Sequence, residues 1–500
     1  MNDLFSNLAL GFSTALTLPN LGLCLIGCMV GTLIGVLPGI GPIATITMLL
    51  PITFNFDPVG ALIMLAGIYY GAQYGGSTTA ILVNIPGEVT AIVTTLDGHQ
   101  MARQGRAGVA LGIAAIGSFF AGCVSTLVIA ALAAPLVKLA LLFGPAEYFA
   151  LMVTGLAFAV VLARGSVPKA VAMILIGLLL SAVGTDLETG GERLTFGLTA
   201  LTSGIDFAVL AMGVIGFAEV LNNLEAPEQR ALAKAPIGRL LPGRDDLKAS
   251  AAPILRGTLV GTALGILPGN GAVLGPYASY ALEKKLAKDP RRFGRGAIEG
   301  VAGPESANNA GAQSSFIPLL TLGIPPNAVM ALMVGAMTIH GIIPGPLVMT
   351  KNATLFWGMI ASMWIGNLML LVINLPLVGI WVKLLDVPYR LLYPAILVFS
   401  CIGIYSVNNS PSDVVLTAIF ALVGYALIKL GFETAPLLLG FVLGRLMEEN
   451  LRRALLIARG SFATLLQRPV AAGLLVVAVI VLLAAIIPAV RRGREEVFTE

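Results

Sequence analysis

Charge is what this chain lacks most. Asp, Glu, Lys and Arg make up only 11% of its 500 residues, against about 25% in a soluble domain. That shortage excludes a water-facing surface over most of the molecule. Histidine is nearly missing, with two residues, so triad or His-metal chemistry is thinly supplied. The four cysteines, Cys24, Cys28, Cys123 and Cys401, sit in apolar runs and read as small packing residues. A metal site would want more ligands at fixed spacing. No G-x-x-x-x-G-K-[ST], H-E-x-x-H or G-x-S-x-G segment occurs, so ATP hydrolysis and the common hydrolytic machineries lack their residues. The net charge of +4 is too small for a nucleic-acid partner. No Lys or Arg precedes Arg103. The opening "MNDLFSNLALGF" has no basic stretch and does not read as a cleaved signal peptide.

What is present is apolar length. Hydrophobic residues reach 57% and mean hydropathy is +0.92, which suits an all-α polytopic integral membrane protein. The 58 Gly and 29 Pro agree, since both are commoner in membrane helices than in soluble ones. Apolar runs fall at 4–18, 20–37, 43–55, 58–84, 108–140, 144–163, 167–184, 200–221, 252–281, 310–346, 354–384, 389–407, 412–430, 433–446 and 470–490. Some are short or broken, and the longest have room for two elements. The expectation is about 11 to 13 transmembrane helices plus re-entrant or broken segments.

Polar connections are few. Residues 222–250 carry Arg230, Lys234, Arg239, Arg244 and Lys248 against Glu225, Glu228, Asp245 and Asp246. Residues 284–295 carry Lys284, Lys285, Lys288, Arg291, Arg292 and Arg295. Both loops are expected in the cytoplasm by the positive-inside bias. At the C-terminus, Arg452 and Arg453 precede the 470–490 run and Arg491, Arg492 and Arg494 follow it; one crossing cannot place both groups inside. The expected organisation is a first membrane repeat over 1–221, a cytoplasmic linker over 222–250, a second repeat over 251–446, and a C-terminal amphipathic segment with a last transmembrane helix over 447–500.

The runs break themselves in a patterned way. "GTLIGVLPGIG" (31–41) aligns without gaps on "GTALGILPGNG" (261–271). Further on, Gly71-Ala72-Gln73 matches Gly311-Ala312-Gln313, and Ile85-Pro86 matches Ile324-Pro325 with a one-residue slip. Two ordered motifs at nearly equal offsets, separated by the mid-chain loop, read as a duplicated membrane unit, expected to be inverted. Interrupted segments at matching places in two halves are the best sequence pointer to a transporter binding site. Around the second break, basic loops lie on both sides of a run of about 27 residues, roughly 40 Å as one helix. One broken crossing fits that length. A hairpin that enters and returns also fits, and it keeps both loops inside, with its turn at Pro268-Gly269-Asn270-Gly271.

Unpaired backbone groups at membrane depth occur only where protein or a water-filled cavity surrounds them. Helix N-termini exposed there suit carboxylates. Pro38, Gly39, Gly41, Pro268, Gly269, Asn270 and Gly271 are therefore candidate substrate contacts, with glycines letting backbone approach a ligand. The competing reading is tight helix packing. Gly31-xxx-Gly35 and Gly261-xxx-Gly265 fit it well and the Pro-Gly-x-Gly tips fit it poorly. The second motif supplies Gln73, Ser77, Thr78, Thr79 and Asn84 in one half, and Ser306, Asn308, Asn309, Gln313, Ser314, Ser315 and Thr321 in the other. Lone hydroxyls would read as interhelical bonds worth about 0.6 kcal/mol; clusters beside Ile-Pro breaks go further. Gln73, Ser77, Thr78, Thr79, Asn84, Gln313, Ser314 and Ser315 join the substrate set. Glu305, with Asn308 and Asn309, is the candidate group for a coupling cation or proton. Glu88 could also carry a coupling proton or help bind a cation, but it follows Pro86-Gly87 and reads at least equally as a solvated loop residue or a cap, and His99 reads as a cytoplasmic-loop residue.

The segments "GTLIGVLPGIGP", "YYGAQYGGSTTAILVNIPGE", "DGHQMARQG" and "GPESANNAGAQSSFIPLLTLGIPPN" closely resemble the large permease subunit (TctA) of the bacterial tripartite tricarboxylate transporter family, over nearly the whole chain. The resemblance implies a multi-pass secondary transporter of the bacterial inner membrane, not an enzyme. It implies ion-gradient-driven uptake of citrate or another small carboxylate, with Na+ or H+ as coupling ion and no other cofactor. It implies two partners, a small membrane subunit of about four helices and a periplasmic solute-binding protein. Alternating access, elevator-type or rocking, is the expected mechanism. The competing functions are a passive anion channel, a transporter of a non-carboxylate solute and, least favoured by the residues, an integral membrane enzyme.

Overall fold

A computed structural model describes residues 2–37, 41–84, 87–163, 166–186, 188–225, 237–267, 271–384 and 389–486. Among these the only strands are the two-residue pair Gly184–Thr185 and Glu192–Arg193, antiparallel with Gly184 opposite Arg193. Everything else with regular structure is helical, as the composition required. The first helices are α1 (Asn2–Ala15), α2 (Leu18–Val36), α3 (Pro42–Thr53) and α4 (Pro58–Val83). Proline opens α2, α3 and α4, where its missing N–H costs nothing and its fixed φ already suits a helix. Asp57 caps α4 by accepting from the Val59 N–H at 3.1 Å.

After a run of short helical turns over 89–106, the chain forms α5 (Ala107–Ala140), α6 (Pro145–Leu162) and α7 (Val167–Ser181). Then come α8 (Phe207–Glu225), α9 (Arg244–Gly265), α10 (Gly271–Leu286), α11 (Glu299–Ser314), α12 (Phe316–Leu322) and α13 (Ala328–Ile339). The apolar run 252–281 thus divides between α9 and α10, and 310–346 among α11, α12 and α13. The rest comprises α14 (Ala353–Asn374), α15 (Val378–Leu384), α16 (Tyr389–Asn408), α17 (Pro411–Lys429), α18 (Ala435–Ile457) and α19 (Pro469–Ile486). Among the described residues five helices are long and apolar enough to cross a membrane: α2, α5 with its preceding turn, α8, α14 and α17. Shorter apolar helices, including α3, α7 and α13, accompany them. This is an all-α polytopic membrane protein.

α4 is the central element. Its residues from Gly60 to Val83 are buried on every side, so it reads apolar or small all round. α2 lies along it. A Cβ at Gly27, Gly31 or Gly35 would fall 2.2, 2.3 or 2.4 Å from the carbonyl oxygens of Met64, Ile68 and Ala72. α9 lies along α11 in the same manner: at Gly257, Gly261 and Gly265 the carbonyls of Gly303, Ala307 and Gly311 would stand 2.2, 2.2 and 2.4 Å away. Backbone meets backbone in both pairs, which only glycine at four-residue spacing permits. The largest core cluster surrounds these helices, with Trp357, Phe356 and Phe316 fully buried.

The two breaks leave their first helices differently. α10 folds back along α9: a Cβ at Gly271 would meet the Leu264 carbonyl at 2.0 Å, and one at Gly275 would meet Gly261 at 3.4 Å. Twelve residues before the break and twelve after it, Arg256 and Glu283 form a two-pronged ion pair, with Nε to Oε1 at 2.7 Å and Nη2 to Oε2 at 2.5 Å. The arms are antiparallel, so the basic residues on either side emerge together. That geometry selects the hairpin over a single broken crossing. α3, by contrast, leaves α2 and packs against α16, α8 and α13.

Outside the helices, the 182–206 segment is tied down by charge. Asp186 accepts from both Arg452 Nη1 (3.2 Å) and Nη2 (2.7 Å), and Arg452 also reaches Glu188 and Glu448. The Arg452 guanidinium, aided by the Glu188 N–H, holds the Asp186 carboxyl well below the usual carboxylate range. A depressed folded value means the contribution is complete above the ordinary carboxylate pKa of about 3.9 and is lost as pH falls through the folded value. Hydrogen exchange over 182–206 is therefore expected to stay slow from neutral pH to about 4 and to rise only in stronger acid. In Arg452→Ala it should already be fast at pH 7. Equal protection in both proteins at pH 7 would remove this anchor from the account.

Candidate functional site

Both second motifs end a helix by the same device. α4 stops at Asn84, in the left-handed conformation (φ 59°), directly before Ile85-Pro86. α12 stops at Gly323, also left-handed (φ 74°), directly before Ile324-Pro325. A residue preceding the Ile-Pro step takes the C-cap because proline cannot continue a helix. Asn84 is solvent-exposed there. After the first break the chain turns back on itself: a Cβ at Gly87 would sit 1.9 Å from the Gly35 carbonyl and 2.9 Å from Gly76 Cα. This close return brings the next residues against α4.

The return segment is fastened by polar groups. Gln73 Nε2 donates to Glu88 Oε1 at 3.0 Å, and Thr90 Oγ1 donates to Gln73 Oε1 at 2.9 Å. Glu88 is therefore half-buried against α4, neither a solvated loop residue nor a side-chain cap. One turn on from Gln73, Ser77 Oγ donates to Glu305 Oε2 at 2.6 Å, and Thr94 Oγ1 donates to Glu305 Oε1. A carboxylate of α11, in the second half, is thus held by two hydroxyls from the first half. Below it, Asn309 Nδ2 donates to Ser118 Oγ of α5 at 2.6 Å. Glu305, Ser77, Thr94, Ser118 and Asn309 are all buried.

Other predicted residues lie around this centre with different partners. Asn308, one residue before Asn309, is buried with neither side-chain amide atom hydrogen-bonded, and Gln313 Oε1 is in the same condition. Buried amides without partners are rare. Ser315 donates to the Gly311 carbonyl (2.8 Å) and accepts from Asn327 Nδ2 (3.1 Å), while Asn327 Oδ1 caps α13 through Met330 N–H. Ser314, Thr78 and Thr79 bond to carbonyls of their own helices. Gly41 has open space where a Cβ would stand, whereas Gly271 is packed within its hairpin. Pro38, Gly39, Pro268, Gly269 and Asn270 lie outside the described residues.

Two acidic or basic residues near the breaks serve structure. Asp97 is fully buried and accepts from the N–H groups of Gly296 and Ala297, each at 2.8 Å, and from Tyr280 Oη at 3.0 Å. It anchors the start of α11, where negative charge is favoured. His99 is not a loop residue: it lies in a helical turn, with Nδ1 hydrogen-bonded to the Ile81 carbonyl.

The sequence reading missed Thr90, Thr94 and Ser118, and also Tyr74 and Asn374, which line a cavity of about 20 Å³ together with Ser77, Ser118 and Glu305. Thr90 and Thr94 share the four-residue spacing of Gln73 and Ser77, which was an available signal. Asn374 had a weaker one, a second asparagine seven residues earlier at Asn367 in an otherwise apolar run. Ser118, in a 34-residue helix that also holds Ser125 and Thr126, carried none.

A buried carboxylate ringed by hydroxyls and amides, inside a bundle with helices of membrane length, defines a polytopic membrane protein with a polar site in its interior. The Tripartite tricarboxylate transporter TctA family model matches residues 21–439, and the chain belongs to that family. It is 57% identical over 500 residues, all of both chains, to the "52.8 kDa protein in TAR-I ttuC' 3'region" of Agrobacterium vitis. It is 58% identical over 240 residues to a protein in the TAR-II ttuC' 3'region of the same organism, covering 48% of this chain and 99% of that one. No solved structure matches. The role of the protein is transport across a membrane, within a tripartite system that supplies partner subunits.

Proposed function

We propose that the chain is the large permease subunit of a secondary transporter that takes up citrate or another small carboxylate across the bacterial inner membrane, driven by an ion gradient. The observation that carries this reading is the meeting of Ser77 and Thr94 of one half with Glu305 of the other, beside helices that break at Ile-Pro. A site assembled from two halves changes shape when the halves move, which is what alternating access needs. The halves form a duplicated, inverted unit in this reading, and an elevator-type movement is its simplest form.

The glycines and asparagine of the tips, Gly39, Gly41, Gly269, Asn270 and Gly271, which follow Pro38 and Pro268, offer donors to a carboxylate together with the free amide of Asn308, without any arginine. Glu305, with Asn308 and Asn309, handles the coupling cation. The linker 222–250 and the basic loop 284–295 face the cytoplasm, and the solute arrives from a periplasmic binding protein with a small membrane subunit in attendance.

The test is uptake of radiolabelled di- and tricarboxylates by cells and proteoliposomes, with and without the periplasmic partner, in Na+ and Na+-free buffers. Uptake should follow the ion gradient and vanish when it is collapsed; uptake indifferent to the gradient would favour a passive anion channel. Gly39→Leu and Gly269→Leu should each abolish uptake while membrane insertion survives. Normal uptake in both would sink the assignment of the tips.

A further inference from the structure

We propose that the surface cleft formed by the 289–297 segment, between α10 and α11, binds the phosphate group of an acidic membrane phospholipid. The cleft has a volume of about 290 Å³ and is lined by Asp289, Arg291, Arg292, Arg295, Gly296 and Ala297. It is separate from the buried Glu305 centre, and the inference does not depend on which solute the protein carries.

The backbone of the cleft is pinned. Asp289 Oδ1 accepts from the Arg291 N–H at 3.1 Å, and Gln104 Nε2 donates to the Arg295 carbonyl at 2.8 Å. Asp97 holds the N–H groups of Gly296 and Ala297. Phe293 is buried among the arginines, its ring edge-on to Tyr280 with centroids 5.4 Å apart. Asp97 and Gln104 both belong to the turns over 89–106. Thr94, which bonds Glu305, lies three residues before Asp97, so one turn of chain joins the cleft to the polar centre.

The charge left over calls for an anion. Arg292 is taken up by Glu299, with Nη2 to Oε1 at 2.9 Å and to Oε2 at 2.7 Å. Among the described residues no carboxylate forms an ion pair with Arg291 or Arg295. Lys284, Lys285 and Lys288, exposed on the approach to the cleft, are likewise unpaired. Asp289 offsets one of these charges, and the Asp97 carboxylate is turned toward backbone N–H groups and Tyr280, so the surplus stays positive. Guanidinium forks match phosphate oxygens in geometry as well as in charge.

Position selects a lipid over a free anion. The Arg256–Glu283 ion pair sets α9 and α10 side by side at the open end of their hairpin. Leu259 and Leu255 of α9 and Leu286 of α10 are exposed large apolar residues at or below that level, and the basic residues begin there. The outer surface of the hairpin thus passes from apolar to basic within about one helical turn. A phospholipid covers both parts, with its phosphate at the arginines and its chains along the leucines. Basic pockets beside membrane helices take acidic headgroups in this way.

The experiment is thermal unfolding of the delipidated full-length protein in detergent, titrated with dioleoyl phosphatidylglycerol. Dioleoyl phosphatidylcholine, whose choline cancels the phosphate charge, and inorganic phosphate are the comparison arms. A ligand that binds only the folded state raises the melting temperature as it saturates. Phosphatidylglycerol should raise it, the other two should not, and hydrogen exchange over 288–297 should slow in the same titration. Arg291→Gln combined with Arg295→Gln should weaken the apparent phosphatidylglycerol affinity about thirtyfold, the scale of two basic groups at a membrane surface. Lys351→Gln combined with Arg459→Gln, which removes the same charge elsewhere, should leave it unchanged. If the double variant of the cleft does not fold, Arg291→Gln alone decides, with an expected loss of about fivefold.

No shift with phosphatidylglycerol overturns the proposal. So does an equal shift with phosphatidylcholine, which would make apolar contact the cause, or with inorganic phosphate, which would make this a free-anion site. An affinity unchanged in the cleft variant, or lowered as much by the Lys351 and Arg459 substitutions, overturns it as well.

Discussion

Gly261→Leu is expected to remove the folded protein from the membrane fraction. A Cβ at this position would stand 2.2 Å from the Ala307 carbonyl oxygen and 2.6 Å from its Cα. The obstacle is backbone on a packed helix, so no side-chain rotation relieves it. α9 would have to withdraw from α11, and the contacts at Gly257 and Gly265 would open with it. Overpacking of ordinary cores costs about 1–3 kcal/mol; here three helix turns separate together, so the loss exceeds that range and takes a large part of a stability of about 5–15 kcal/mol. Gly31→Leu should behave alike through Ile68. The measurement is the yield of monodisperse protein in detergent, and normal yield from both variants would refute the packing described for the two pairs. Gly39→Leu and Gly269→Leu differ in kind: those substitutions should spare insertion and stop uptake.

Glu305→Gln is expected to lower carboxylate uptake by at least about 100-fold while leaving the protein as stable as the wild type or more so. Ser77 Oγ and Thr94 Oγ1 each bond one oxygen of the Glu305 carboxyl, and such a bond contributes about 0.5–1.5 kcal/mol between neutral groups and about 1.5–3 kcal/mol when one is charged. In a neutral amide, one of the two acceptor oxygens becomes a donor that faces a hydroxyl, so at least one bond is lost or reversed. Whenever Glu305 is ionised it is also a buried charge with no basic partner among the described residues, which is unfavourable, and the amide avoids that cost. A residue kept only for packing would show the opposite signature, unchanged uptake with reduced stability. Initial rates of uptake and the melting temperature, measured on the same preparation, separate the two; full uptake by the variant would end the role assigned to Glu305.

Much of this protein was legible without coordinates, and the reasons are local. A bilayer imposes long apolar runs and forbids charge, so 11% charged residues fixed the class. Proline and glycine act on their own backbone, so the breaks at 38–41, 85–86, 268–271 and 324–325 could be read one at a time. The expected pairing of those breaks between two halves rests on order and spacing alone. Gly31-xxx-Gly35 and Gly261-xxx-Gly265 announced close helix packing, which is where the structure puts them. The four-residue spacings of Gln73 with Ser77 and of Glu305 with Asn309 marked helix faces.

What the tertiary structure decided is which faces meet. Ser77 and Glu305 are 228 positions apart, and nothing in either motif names the other as its partner. The return of Gly87 against Gly35, which turns Glu88 inward, depends on two backbones touching. Tyr74, Ser118 and Asn374 each lie in a largely apolar helix, and each alone is indistinguishable from an ordinary interhelical hydrogen bond. Only their arrival at one cavity beside the Glu305 carboxyl separates them from that background. The hairpin of α9 and α10 was decided in the same way, by Arg256 reaching Glu283 across the fold. Breaks are properties of one stretch of chain, and a binding site is a property of several stretches packed together.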